Sequence, residues 1–406
     1  MIDNRCFMIK KLTFLLFFFT SFAFSQNLEF IVIVKDLDTD LPIDEVTITA
    51  LRTRQGFLTN KDGKAIINLT RSSDLELIHS TYKKTIVKFS TLDKKENVVY
   101  LEPVTKQLEE FIITKDHPQE ILKKLIENSK SKITIPVSLK VYLHEFYKRD
   151  NQIIFFNDGL INFQILGNSK NIKTDILVEQ NRAIGFFDAD FDANILGYDL
   201  NNIIENYCQF KYLDEVLDTK AKKLYDFSIR TYPANEEYLV IKISPLSDSK
   251  GILSDFTVVY DSDKKIILEV SSFVKQDRLQ EYKESLLATR KVYKLEFKNT
   301  FRLEGNYYYL ANSKEVIGFE KRYKNKARKI EVKNHMVVTD FNKKTFEYAD
   351  KNIFKGKSLI NKQTSFFTNY WDVASGFVST DEEKNIIEQL GKPNTEILNE
   401  EENPNE

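Results

Sequence analysis

Cysteine is scarce in this chain of 406 residues, which contains only Cys6 and Cys208. Cys6 lies in an N-terminal segment that we expect to be removed on export, so Cys208 is expected to lack an intramolecular disulfide partner. A chain of this length can bury an apolar core without disulfides. Cys208 stands close to Tyr207 and Phe210, a setting typical of a small buried residue and not of a reactive thiol.

Glycine, proline and histidine are also few. The 12 Gly and 8 Pro exclude a collagen-like or low-complexity chain. The chain has 4 His and neither a Gly-x-Ser-x-Gly motif nor a glycine-rich phosphate loop, so no catalytic arrangement can be recognised. We therefore predict a protein without catalytic residues and without a cofactor, and an enzyme is the least favoured interpretation.

Neither sign of charge is in excess. The chain has 59 Lys and Arg against 60 Asp and Glu, and removing residues 1–25 would leave 56 against 59. Nucleic-acid-binding proteins present a basic stripe or patch, which this balance does not favour. We therefore predict no nucleic-acid partner.

The N-terminus carries the one long apolar run, residues 12–24, directly after Lys10 and Lys11. This run is too short to cross a bilayer, which takes about 20 residues. The basic flank, the apolar run and the small residues around Ser25 together define a secretory signal peptide over residues 1–25. Two starts, Met1 and Met8, are compatible with this pattern. We predict export to the periplasm or to an outer-membrane-associated location.

The signal peptide and the rest of the chain restrict how the protein could be anchored. No cysteine follows the apolar run closely, so we predict that the exported chain is not a lipoprotein. Beyond Ser25 no apolar stretch approaches the length of a membrane span, so we predict no transmembrane segment in the mature chain. Attachment to a membrane would then require a partner, and we expect an outer-membrane or other envelope protein.

Residues 26–104 have the pattern of short strands separated by turns. Residues 46–50 alternate apolar side chains with Thr, the two-residue period of a half-buried strand. Residues 60–63, Asn-Lys-Asp-Gly, form a turn sequence in which Gly63 suits a positive φ. No helical periodicity interrupts the region, so we predict an all-β sandwich.

This region resembles the carboxypeptidase-regulatory-like domain, a small transthyretin-like sandwich common in exported Bacteroidetes proteins. The resemblance covers residues 28–103. Its matching segments are Val34-Lys35-Asp36 with Thr39, Leu41-Pro42-Ile43, Val46-Thr47-Ile48 and Thr59-Asn60-Lys61-Asp62-Gly63-Lys64-Ala65. The family commonly has Gly-Tyr after the fifth strand, where this chain has Ser80-Thr81-Tyr82. The resemblance implies a transthyretin-like fold and no peptidase activity.

The remaining chain divides into three parts. Residues 105–135 are predicted to be a linker and an amphipathic helix that begins near Pro118. Residues 136–375 are predicted to form an antiparallel β-rich domain, and the hairpin around 258–267 resembles the half-barrels of periplasmic lipoprotein carriers. Residues 376–406 are predicted to be a short helix from Asp381 and an acidic disordered tail.

The predicted fold class is therefore mainly β. An N-terminal transthyretin-like β-sandwich is followed by a larger antiparallel β-meander or half-barrel domain with a few helices, an α+β arrangement.

Clustered carboxylates suggest one candidate metal site, a calcium loop. Its oxygen ligands would be Asp188, Asp190, Asp192 and Asp199, at the first, third, fifth and twelfth positions of such a loop. The sixth position lacks the glycine that the loop requires, so a solvated acidic loop is the competing interpretation. The similar run at 36–40 lacks the glycine and the twelfth ligand, and we interpret it as a loop between strands.

His117 and Glu120 have the His-x-x-Glu spacing of a zinc carboxypeptidase ligand pair. A catalytic zinc needs a third protein ligand, and none of the other three histidines stands in a recognisable ligand motif. Pro118 and Glu120 have a simpler explanation at the start of a helix. We therefore predict a helix start and no metal.

Two functions are compatible with these observations. The first is an exported structural or interaction protein of the cell envelope without catalytic activity. The alternative is a periplasmic carrier or binder of an apolar ligand such as a lipid, held in a half-barrel cavity between residues 138 and 350. Aromatic runs such as 307–309 could line that cavity. Adjacent residues of a strand point to opposite faces, however, so the competing interpretation is that these side chains pack in the core and on the sheet surface.

Overall fold

The computed structural model describes residues 28–359 and 381–390, except 54, 70, 80, 94, 105–109, 186–198, 201, 233–234, 236, 280, 284–287, 324–325, 344–346 and 357. The predicted signal peptide and the predicted acidic tail lie outside the described residues. Strands make up 56% of the structure and helices 17%, which confirms the mainly-β prediction.

Along the chain, short strands come first and long strands follow. The strands are β1 Leu28–Asp36, β2 Thr47–Ala50, β3 Gly56–Leu58, β4 Lys64–Leu69, β5 Leu75–His79, β6 Tyr82–Val87, β7 Glu96–Leu101, β8 Val137–Arg149, β9 Gln152–Asn168, β10 Asn171–Gly185, β11 Tyr225–Thr231, β12 Tyr238–Pro245, β13 Asp255–Asp261, β14 Ile266–Phe273, β15 Glu281–Lys283, β16 Ala288–Glu304, β17 Tyr307–Tyr323 and β18 Lys326–Asn342. The α-helices are α1 Pro118–Lys132, α2 Ile203–Cys208, α3 Asp214–Leu217 and α4 Asp381–Leu390. Short 3-10 helices span Phe89–Thr91, Lys211–Leu213, Thr219–Lys223, Gln276–Arg278 and Asp350–Asn352.

The N-terminal strands form a sandwich of two sheets. One sheet has the order β4-β1-β7 and the other β3-β2-β5-β6. Alternate residues of β1 and β4, such as Val32, Val34 and Ile67, are fully buried between the sheets. The turn before β4 has Gly63 at φ +68°, where a Cβ atom would come within 2.3 Å of the Val34 carbonyl oxygen. The turn predicted there is therefore present, and it requires glycine.

The second unit is an antiparallel sheet of eleven strands in the order β10-β9-β8-β18-β17-β16-β14-β13-β12-β11, with β15 paired to β16. Most neighbours in the sheet are joined by hairpins, as the predicted meander requires. The β8–β9 turn at Asp150 and Asn151 has positive φ at both residues (50° and 70°), the geometry of a tight hairpin turn.

One face of the large sheet is covered by helices, and we call it the helix face. The buried core of this face includes Leu122, Leu125 and Ile126 of α1 and buried residues of the segment 202–221. His117 begins α1 as predicted, because its Nδ1 accepts a hydrogen bond from the Gln119 amide at 3.1 Å. The buried side chains of the sheet and of these helices form one apolar cluster on this face, and the half-barrel cavity stays a prediction.

The opposite face carries the sandwich, and we call it the sandwich face. Leu58 of β3 packs there against Tyr142, Leu160 and Val337 of three neighbouring strands. Helix α4 lies on the same face, where Glu383 and Lys333 form an ion pair at 4.0 Å. Within the described residues, no helix is long and apolar enough to cross a membrane.

Candidate binding cleft

A cleft of about 240 Å³ lies between the sandwich and the sandwich face of the large sheet. The sandwich lines it with six residues at and near β2 and β5: Glu45, Thr47, Thr49, Glu76, Ile78 and His79. Strands β12, β13, β14, β16 and β17 and the turns near them line it from the other side.

The two-residue period of the strands explains which side chains enter the cleft. In β2 and β5, Ile48 and Leu77 point into the sandwich core, so Thr47, Thr49 and Glu76 point outward. In β14, Val270 belongs to the core of the helix face, and its neighbour Glu269 lines the cleft. Polar side chains of both walls therefore line the cleft, together with the apolar side chains of Ile78, Val259, Leu268, Phe301 and Leu303.

Glu45 connects the two walls. Its carboxylate lies 3.5 Å from the Lys298 ammonium and also pairs with Lys314. Lys298 in turn lies 3.3 Å from Glu269. Burial alone would raise the pKa of Glu45, but the two lysines outweigh it and lower the pKa to about 2. The carboxylate is therefore ionised at neutral pH, and it ties the sandwich to β16 and β17.

The backbone around Glu45 is fixed by a buried hydroxyl. Thr59 is fully buried; its Oγ1 accepts a hydrogen bond from the Val46 amide and donates one to the Ile43 carbonyl oxygen, each at 2.8 Å. Glu45 itself has φ +60°, a left-handed conformation that costs a residue with a side chain roughly 1–3 kcal/mol. The turn is thus held in a strained form that presents the carboxylate to the large sheet.

A second ion pair lies on the sheet side of the cleft. The Arg302 guanidinium is 3.4 Å from Glu304, whose carboxylate also accepts a hydrogen bond from the Tyr309 hydroxyl at 3.0 Å. Strand β3 comes so close here that a Cβ atom at Gly56 would lie 2.4 Å from Arg302 Nη1. Glycine at this position lets the sandwich lie directly against the guanidinium.

Aromatic side chains form the remaining wall. The rings of Tyr232 and Tyr238 lie 6.1 Å apart between centroids, and burial raises the pKa of the Tyr238 hydroxyl. Asp261 and Lys264 form an ion pair at 3.0 Å beside them. Burial, with the nearby charge of Lys298, lowers the pKa of His79 to about 4, so its imidazole is neutral at physiological pH.

The predicted calcium ligands are not brought to this cleft. Asp188, Asp190 and Asp192 lie outside the described residues, and Asp199 precedes α2, a helix of the opposite face. Among the residues that the structure describes, no group of three His, Cys, Asp or Glu side chains could hold a metal ion. The calcium loop stays a prediction.

The other sequence candidates have structural roles. His117 caps α1, and Glu120 pairs with Lys123 and Lys222 at 3.4 and 3.3 Å, as expected of a helix start. Cys208 is a buried free thiol, and burial raises its pKa to about 12, which makes it unreactive.

The acidic run at 36–40 is a loop between β1 and the residues that follow, as predicted. Asp36 accepts hydrogen bonds from the amides of Asp38 and Thr39, each at 2.8 Å. Asp40 pairs with Lys35 at 3.0 Å. These carboxylates stabilise the turn itself.

Sequence reasoning identified none of the cleft residues as a site. They form no motif, because they come from strands far apart in sequence, and only the docking of the two units brings them together. The one local signal is alternation: Thr47, Thr49 and Glu76 mark the polar faces of short strands, which the pattern alone assigns to solvent.

No family model and no curated protein sequence matches the chain. Among solved structures, a LolA superfamily protein from Nitrosomonas europaea is similar at 10% identity and a TM-score of 0.21, over 57% of this chain and 97% of that one. A "putative carbohydrate binding protein" from Bacteroides uniformis is similar at 12% identity and a TM-score of 0.17, over 57% and 98% of the two chains. Scores this low assign neither fold nor function.

Proposed function

We propose that this protein is an exported, non-catalytic binding protein of the cell envelope, and that its binding site is the cleft between the sandwich and the large sheet. The observation that carries the proposal is the cleft itself. Side chains from two separately folded units converge there, and they leave a space of about 240 Å³ between them. The signal-peptide pattern over residues 1–25 supports the export part of the proposal.

The electrostatics of the cleft favour binding over catalysis. A general acid or base works best when its pKa lies near the working pH. Glu45 has a pKa of about 2 and His79 one of about 4, so neither is suited to transfer protons near neutrality. The ionised carboxylate of Glu45 serves as a fixed charge and a hydrogen-bond acceptor.

Hydrogen–deuterium exchange of the full mature chain tests the proposal. The protein would be measured alone and with fractions of an envelope extract from the native host. We expect one fraction to protect segments 45–49, 76–79, 238–245 and 298–304, because amides beside an occupied site open less often. Protection confined to segments far from the cleft would contradict the proposed site.

The same experiment distinguishes the proposed function from the alternative, a carrier of an apolar ligand. A carrier of an apolar ligand would use the helix face, and the ligand would have to displace side chains of α1 and of the segment 202–221. Protection or exposure confined to residues 118–132 and 203–217 would favour that carrier. Lipid recovered from the purified protein by organic extraction would support it independently.

A further inference from the structure

The backbone of the cleft offers little to a ligand. Strands β2 and β5 lie inside the order β3-β2-β5-β6, and β13 and β14 lie inside the large sheet. Their amide and carbonyl groups are used in the ladders on both sides, so an extended peptide cannot add as a further strand here. Recognition in the cleft must therefore come from side chains.

The charges of the cleft are already paired. Lys298, Lys264 and Arg302 lie within 4 Å of the carboxylates of Glu269, Asp261 and Glu304, respectively. Carboxylates also outnumber cations in the lining, because Glu45 and Glu76 belong to it as well. A phosphate or carboxylate ligand would meet repulsion and, among the described lining residues, no cation without a carboxylate beside it. The lining also contains apolar side chains, such as Ile78, Val259 and Leu268, but a wholly apolar ligand would cover the paired charges without making hydrogen bonds to them.

The same side chains suit a different ligand. Hydroxyl groups donate and accept at once, so they can share hydrogen bonds with charged groups that are already paired. Thr47, Thr49 and Asn312 add further polar groups. The rings of Tyr232 and Tyr238, inclined at 44° to each other, add aromatic surface with a polar edge.

From these features, and on the basis of the proposed function, we propose that the cleft binds an uncharged, polyhydroxylated ligand, namely a neutral saccharide. The ionic side chains would bind the hydroxyl groups, and the two tyrosines would contact the apolar face of the sugar ring. The cleft is smaller than the roughly 300–1,000 Å³ typical of sites for drug-sized ligands. It therefore fits one sugar unit or the end of a longer chain.

Isothermal titration calorimetry tests this proposal. The mature chain would be titrated with neutral hexoses, N-acetylhexosamines and their short oligomers, and in parallel with uronic acids and sugar phosphates. We expect saturable binding of at least one neutral sugar and weaker binding of the anionic sugar of the same ring. Tighter binding of the anionic sugars, or no neutral sugar bound at millimolar concentration, would overturn the proposal.

Variants of cleft residues test where the sugar binds, and a control variant outside the cleft distinguishes lost binding from misfolding. We expect Tyr238→Ala to raise the dissociation constant about tenfold, and Tyr238→Phe to raise it less, because the ring is retained. Thr49→Val removes a lining hydroxyl at nearly constant shape. Tyr100→Ala, on the outer strand β7, is the matched control and should change nothing. Equal affinity in Tyr238→Ala and Tyr100→Ala would overturn the assignment to the cleft.

The two proposals fail in distinguishable ways. If no neutral sugar binds but an envelope fraction still protects the cleft in hydrogen exchange, the ligand class is wrong and the site stands. If the cleft is not protected by any fraction and no sugar binds, both proposals are wrong.

Discussion

Glu45 has a strained backbone conformation, and the ion pairs of its side chain compensate for that strain. Its φ of +60° is a conformation that glycine adopts more readily. The chain nevertheless has a carboxylate here, held between Lys298 and Lys314 of the large sheet. The strain in the turn is therefore tolerated because the side chain makes the two ion pairs that join the units.

The lowered pKa of Glu45 predicts an acid-dependent loss of stability. In the folded state its pKa is about 2, below the ordinary value of 4.5. The ionised group therefore stabilises the fold above pH 4.5, and this contribution is lost as the pH falls from 4.5 towards 2. We expect Glu45→Gln to lower the free energy of unfolding at pH 7 by about 2 kcal/mol, and the difference from the unmodified protein to shrink as the pH falls. Urea unfolding at a series of pH values measures both effects.

An exposed ion pair provides the matched control for that measurement. Glu102 pairs with Lys83 on the sandwich, but both side chains are more than half exposed. Water screens such pairs, so Glu102→Gln should change stability by no more than about 0.5 kcal/mol. Equal effects of the two substitutions, or a pH-independent effect at Glu45, would show that the interdomain pairs do not stabilise the fold.

At the scale of elements, the sequence predicted the start of α1 and the turns well. These depend on local chemistry: Pro118 with a capping side chain before it, and Gly63 at positive φ. The helical segment around α2 and α3 was not predicted. Its apolar residues, including Ile204 and Tyr207, do have helical spacing, but the helix is only six residues long, and tertiary packing stabilises it.

Strand length was the larger error at this scale. Strands β16, β17 and β18 each have seventeen residues, whereas the sequence pattern predicts only short strands in this region, such as 293–297 and 307–310. Charged residues such as Lys298 and Lys314 interrupt the apolar alternation in the middle of these strands. In the folded chain they face the sandwich and are paired there. Alternation alone cannot distinguish a strand end from a polar site within a strand.

Helix α1 should behave as core and not as a movable lid. Leu122 is fully buried on the helix face, and replacing it with Ala should lower the free energy of unfolding by about 2–5 kcal/mol. Lys124, on the exposed side of the same helix, is the control, and Lys124→Ala should change stability by about 0.5 kcal/mol or less. Chemical denaturation measures both. A negligible effect of Leu122→Ala would indicate that α1 does not cover a packed core, and would favour a carrier with an open half-barrel.

At the scale of the whole molecule, the fold class could be predicted and the site could not. Periodicity and turns indicate sheets because they act within a few residues. The cleft depends on how the sandwich is placed on the large sheet, and that placement rests on Leu58, Gly56 and Glu45. None of these carries a signal in the sequence that identifies its distant partner.

The placement of the sandwich can be tested at Leu58. This residue is buried against the large sheet, but it does not belong to the core of the sandwich, because the core position of β3 is its neighbour Phe57. A charge at Leu58 should therefore separate the two units without unfolding either, since a buried unpaired carboxylate is strongly unfavourable. We expect Leu58→Asp to increase the radius of gyration in small-angle X-ray scattering, while the circular dichroism spectrum of the strands is retained. Leu41→Asp, at an exposed site of the sandwich, is the control and should leave the scattering unchanged.

If Leu58→Asp keeps the compact scattering profile, the units are held together mainly by other contacts. If the units separate, the cleft loses one wall and binding should be lost, which connects the packing of a single leucine to the function proposed for the whole molecule.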